Sequence, residues 1–246
     1  MLTIDKTETY GWEAAIRGMR NAMNSWDKLD TTMCDRYQID EYCDAWKYGG
    51  SACQYYGSCE NGIWVNDFQC LHLGKNDLDL MKRLRKAGTD HRKYMRMIVV
   101  YCDITAPLYW WKQFDTYKVG TVLNSCSTMH TIQAKEFTLD DFSHEHLIDT
   151  CLLEAVVNEL NIYRDIYNNY DKQTDEYKDE FSKKDIWWQM VQNLGDSYNQ
   201  KRTAMMNYEV LTNTYKSRKN HKLDEWHTFC DWIETLPYSS LITGEE

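Results

Sequence analysis

Apolar side chains recur at helical spacing over residues 10–26, where Trp12, Ala15, Ile16, Met19 and Met23 would share one face of an amphipathic helix. Residues 77–86 repeat the pattern over a shorter span, with Asp77 expected as the N-cap and Gly88 just past the end. Residues 94–104 (YMRMIVVYCDI) are dense in β-branched and aromatic side chains and predict a strand. Pro107 then suits the first turn of a helix running from 108 to about 117. Residues 119–130 read as irregular, and Thr138 to Asp141 as the opening of another short helix. Long helical stretches are expected over 146–170 and 175–193, followed by helices over 201–218 and 223–236. Residues 30–67 hold four of the nine cysteines along with Gly49, Gly50 and Gly57, and predict loops with short elements. One strand among many helices, with no internal repeat, predicts an α+β fold: a small central sheet with flanking helices.

Composition narrows this picture. A chain of 246 residues, 43% hydrophobic and 14% aromatic, can build a sizeable core, and with 2 Pro and 11 Gly it has little linker character. It reads as a single domain, 1–246. Residues 1–90 are expected to carry an N-terminal helix with a Cys- and Tyr-rich extension, and residues 91–246 hold the candidate ligand-binding segments. No apolar run approaches the roughly 20 residues that span a bilayer, and the first residues lack the apolar block of a secretory signal. The expectation is a cytoplasmic protein with no membrane partner. A net charge of -10 disfavours duplex nucleic acid bound through a broad basic face, but leaves room for a locally positive pocket. The 9 cysteines show no CxxC, and Cys53, Cys59 and Cys70 fit no standard zinc spacing. Reduced, mostly buried thiols and no metal are expected.

Two segments carry candidate chemistry. Residues 199–226 hold Arg202, Asn207, Asn213 and Arg218 on what reads as helix. Guanidiniums grip phosphates through paired hydrogen bonds, and amides read the edges of flat heterocycles. A nucleotide or flavin surface and a solvated helix face both fit. Residues 106–130 pass from strand to Pro-started helix to a loop rich in Thr, Ser and Asn, with Lys112, Gln113, Tyr117 and Lys118 at the transition. That composition fits a phosphate or sugar cradle, or simply a polar loop. Cys126 is either a thiol activated by Lys118 or a packed loop thiol. His130, His144 and His146 are either general bases or structural histidines.

The second segment resembles the signature region of flavin-dependent thymidylate synthases, the ThyX family. The family pattern is a strand, then AP-x4-RQ, then RHRxxSxNExSxR. Ala106, Pro107 and Gln113 match it, and Lys112 stands in for an Arg. The RHR triplet falls on Thr116, Tyr117 and Lys118, and Thr121 takes the place of the first Ser. With one extra loop residue, Asn124 and Ser127 match, Ser125 replaces the Glu and Met129 the final Arg. His91 falls where the family has a flavin-contacting His. Asn207, Asn213 and Arg218 match a family segment N-x5-N-x4-R, Arg202 lies one residue from another substrate-binding Arg, and Trp226 matches an aromatic position.

The resemblance implies a ThyX-like fold and FAD bound through His91, Tyr117, Asn207 and Asn213. It implies a dUMP-like nucleotide bound through Gln113, Lys118, Ser127, Arg202 and Arg218, with Arg92 and Arg96 as substitutes for lost phosphate contacts. It further implies methylation of dUMP to dTMP, with NADPH and methylenetetrahydrofolate as co-substrates, in a homotetramer. The lost arginines leave an alternative: a flavin- or nucleotide-binding homologue without thymidylate synthase activity.

Overall fold

The computed structural model describes residues 2–35, 63–66 and 69–244. Most of the Cys- and Tyr-rich stretch expected as loops lies outside the described residues. The fold is α+β: helix-rich around a four-stranded sheet. Its strands are β1 (Thr3–Tyr10), β5 (Val99–Pro107), β6 (Thr121–Ser125) and β7 (Asn199–Asn207), in the order β1-β5-β7-β6. A second, antiparallel sheet of three short strands is formed by β2 (Thr32–Asp35), β3 (Ile63–Asn66) and β4 (Gln69–His72).

The helices follow the apolar rhythm with some corrections. Helix α1 (Trp12–Asn21) buries Trp12, Ala15, Ile16 and Met19, as its spacing predicts, but it ends before Met23, which is 82% exposed rather than on the buried face. It starts after Gly11, at φ +87, where a Cβ would lie 2.1 Å from the Met97 carbonyl oxygen; only glycine fits this turn. Helix α2 (Lys75–Lys86) begins two residues before Asp77. The capping carboxylate is instead that of Asp30, which accepts the N–H groups of Asn76 and Asp77. The strand expected from residue 94 begins at Val99, because Lys93–Arg96 close a 3-10 turn. The stretch expected as irregular contains β6 and the short helix α4 (Thr128–Thr131), and α3 (Leu108–Phe114) precedes it. Helix α5 spans Cys151–Asn168. The long helix expected over 175–193 is two, α6 (Asp175–Glu180) and α7 (Lys183–Asn193), because Ser182 and Asp185 form a reciprocal capping box that starts a new one.

The largest correction falls on 201–218. The first part is strand β7, and helix α8 (Tyr208–Arg218) starts only after it. Ala204 and Met206 point inward at strand period, and pairing between β5 and β6 overrides the helix preference of Ala and Met. Asn207 ends the strand and caps the helix, its Oδ1 accepting the Val210 N–H at 2.9 Å. Arg202 and Arg218 therefore do not share a helix. Helices α9 (Asp224–Glu234) and α10 (Ser240–Thr243) complete the chain.

The described residues form two compact units. Unit 1 comprises Met1–Ile4, Asp103–Thr116 and Leu123–Thr203. Its core is Ile132, Phe137, Phe142, Leu160 and Met190, packed between α5 and α7, together with the buried Trp110, Trp111 and Phe114 of α3. Unit 2 comprises Asp5–Cys102, Tyr117–Val122 and Ala204–Glu246. There Trp12, Ile16, Tyr208, Leu211, Trp226, Phe229 and Ile233 are almost fully buried. Burying each such large apolar side chain contributes about 1.5–3 kcal/mol, which is why the helix faces dictate this packing. Among the described residues no helix is long and apolar enough to cross a membrane.

Candidate functional site

Helix α8 organises the candidate chemistry of unit 2. It is buried on most sides: Tyr208, Val210, Leu211, Thr212, Thr214 and Tyr215 all pack inward, whereas Asn213 is exposed and Arg218 half-buried at the last turn. Arg218 Nε donates to the Tyr117 hydroxyl at 2.9 Å. Its guanidinium lies 4.6 Å from the Trp226 ring centre and 5.6 Å from that of Tyr117. The two rings meet edge to face at 6.1 Å. An arginine stacked on aromatic faces is fixed in direction while keeping its charge. His221 also stands against Trp226, its Nδ1 accepting the Leu223 N–H. Burial first, then the charges of Arg218 and His227, hold its imidazole below the ordinary 6.5, so it is neutral at physiological pH.

The turn bearing Tyr117 and the exposed Lys118 is built on Gly120, at φ +79. A Cβ there would lie 2.6 Å from Asn207 Nδ2. The Asn207 amide oxygen is held by the helix start, and only a glycine at 120 leaves room for its nitrogen.

In the first turn of α8 sits a second group. The side chain of Glu209 is 9% exposed and accepts from Arg92 Nε at 3.2 Å and from Arg96 Nε at 2.7 Å. Arg92 Nη2 donates onward to Asn213 Oδ1 at 3.1 Å. This bond fixes the amide orientation of Asn213: its oxygen faces Arg92, and its NH2 remains a donor. The hydrogen bond and charge of Glu209 raise the Arg96 pKa above its ordinary value. One carboxylate here faces two guanidiniums, so the cluster carries an excess of positive charge beside exposed His91, with Asp90 adding a weaker field at Arg96. Arg92 and Arg96 are therefore anchored by Glu209 rather than unattached.

The remaining expected residues lie in unit 1. Arg202, on β7, donates Nη1 to Asp115 Oδ1 at 2.8 Å and Nε to Gln200 Oε1 at 2.9 Å, and its guanidinium lies 4.2 Å from the Trp111 ring centre. Lys112 pairs with Asp196 at 2.6 Å. Gln113 is half-buried on α3. Ser127 caps α4, its Oγ accepting the His130 N–H at 3.3 Å. The Cys126 thiol is exposed just after β6. Among the described residues no group of His, Cys, Asp or Glu is arranged to hold a metal ion.

Six of the nine expected site residues, His91, Tyr117, Lys118, Asn207, Asn213 and Arg218, fall in unit 2, and Gln113, Ser127 and Arg202 fall in unit 1. Sequence reasoning missed Glu209 and His221. A glutamate between apolar Tyr208 and Val210, two residues after the N-cap, was the available signal for Glu209.

No family model matches this sequence, and no curated protein matches it. Solved structures do. A crystal structure of thymidylate synthase X from Helicobacter pylori with FAD and dUMP is similar at a TM-score of 0.62 and 12% identity, over 99% of this chain and 98% of that one. A second structure of the flavin-dependent enzyme from that organism, complexed with FAD and dUMP, is similar at 0.58 and 13%, over 98% and 99%. At such identity the likeness establishes a shared fold.

Proposed function

We propose that this chain binds FAD and a pyrimidine deoxynucleotide and acts as a ThyX-type thymidylate synthase, methylating dUMP to dTMP with methylenetetrahydrofolate and NADPH. The observation that carries this reading is the grouping on α8: Arg218 caged by Tyr117 and Trp226, and Asn213 oriented by Arg92 with its NH2 presented outward.

The residues present fit FAD. Asn213 and Asn207 supply amides, Tyr117 an aromatic face, and the Arg92–Arg96 excess a field for a diphosphate. FAD, when bound, supplies the redox chemistry, carrying a hydride from NADPH to the pyrimidine. The protein's own work is to hold and orient. Asn213 NH2 donates to a ring carbonyl. Arg218 and Lys118 draw the nucleotide phosphate, Arg218 as a fixed fork and Lys118 as a mobile point charge. Neutral His221 adds no competing charge beside Arg218.

A second reading rests on Arg202 and Met129. Arg202 is already engaged by Asp115, Gln200 and Trp111, and Met129 supplies no charge where the family has Arg. On this reading the chain binds flavin or nucleotide but does not methylate. Growth of a thymidine-requiring host without thymidine, with tritium released from dUMP labelled at C5, supports the first reading. FAD affinity without rescue or tritium release supports the second. A protein that takes up neither FAD nor dUMP removes both.

A further inference from the structure

The joint between α1 and α2, in unit 2, carries a cleft lined by charged side chains. Arg20, in the last turn of α1, is 3% exposed. Its Nε donates to Asp77 Oδ1 at 2.7 Å and its Nη1 to the Ser25 carbonyl at 3.3 Å, while buried Nη2 has no hydrogen-bond partner among the described residues. Buried donors in native proteins are nearly always satisfied, so an orphan on a guanidinium calls for a water or a ligand acceptor. Arg20 lines a cleft of about 680 Å³ whose other walls include Lys28, Lys82 and Arg83, with Asp27 and Asp79. All five are exposed, so Arg20 forms the floor. Counting Asp77, with which Arg20 pairs, four cations face three carboxylates, so the cleft keeps one positive charge in excess on a chain of net charge -10.

The partner of Arg20 does not exhaust it. Asp77 also accepts from Thr31 Oγ1 and from the N–H groups of Asp30 and Thr31, so its charge is shared among several donors. The start of α2 is not the attraction either, because Asp30 already takes the Asn76 and Asp77 N–H groups. We infer that this cleft binds the phosphate group of a small hydroxylated metabolite: Arg20 Nη2 and the lysine ammoniums donate to phosphate oxygens, and Asp27 and Asp79 accept from hydroxyls. The site is separate from the FAD and nucleotide cluster on α8 and does not depend on that reading.

Inorganic phosphate is the probe, titrated against chloride at matched ionic strength and neutral pH, with binding read by calorimetry and by thermal shift. Phosphate should bind and raise the melting temperature. The double variant Lys28→Ala/Lys82→Ala alters two exposed side chains, should melt normally in chloride, and should weaken phosphate binding by about tenfold or more. Both proteins are compared in an Arg218→Ala background, so that the nucleotide-phosphate contact proposed on α8 does not contribute. The inference is overturned if phosphate has no effect beyond chloride in that background, or if the double variant binds it as well as its parent does.

Discussion

At the residue scale, the chemistry depends on side chains whose direction is set by a neighbour. Arg218 is aimed by Tyr117 and Trp226, Asn213 by Arg92, and Arg92 by Glu209. Replacing Arg218 by Ala removes the hydrogen bond to Tyr117 and the contacts with the Tyr117 and Trp226 rings at a half-exposed position. The loss of stability should be about 1 kcal/mol, with nucleotide affinity lowered by about a hundredfold. Chemical denaturation and dUMP titration measure the two separately, and unchanged affinity would remove the role given to Arg218. Glu209→Ala should cost more in the fold, about 2–3 kcal/mol, because two guanidiniums lose their buried partner. It should also release FAD, because Asn213 then has no fixed amide direction; loss of yellow colour on gel filtration measures this. Arg218, Asn213 and Tyr117 were legible because spacing and side-chain chemistry survive in sequence. Glu209 was not, because a buried acid is recognised only by the arginines that the fold brings from a distant turn.

Elements were legible where one face is apolar and the other is wet. Helix α1 is the clear case, with Trp12, Ile16 and Met19 buried on one side. Strand β7 was not legible: Ala204, Met205 and Met206 are helix formers held extended by neighbouring strands. Strand β1 was missed for the opposite reason, since its residues are mostly exposed and show no apolar alternation. Reading Asn207 as an N-cap would have placed the start of α8 correctly. The turn at Gly120 links the element to the site. Gly120→Ala puts a Cβ at positive φ against Asn207, and should cost about 1–3 kcal/mol and weaken FAD retention, measurable by melting temperature and cofactor content. The α1–α2 joint predicts an acid response. Burial alone would raise the Asp77 pKa, but hydrogen bonds from Thr31, Arg20 and two backbone N–H groups outweigh it and hold the carboxyl below its ordinary value. The stability it contributes is fully present above the unfolded value of about 3.9, and is lost as pH falls through the lower folded one. Urea midpoints at neutral and acid pH should show this acid-dependent part in wild type and not in Asp77→Asn.

For the molecule as a whole, a helix-rich α+β fold was legible because one strand, β5, stood out among many helical segments; the other three strands of its sheet were not legible. The particular ThyX-like arrangement was anticipated only through a few spaced residues, His91, Gln113, Lys118, Asn207, Asn213 and Arg218. The solved structures share its fold over nearly the whole chain. The central claim is that helix α8 and the Gly120 turn form a flavin and nucleotide site. The most direct test is the visible absorbance of purified protein after incubation with FAD and gel filtration, for wild type and Asn213→Ala side by side. The claim predicts a yellow wild type and a colourless variant. A colourless wild type, or equal colour in both, would contradict it.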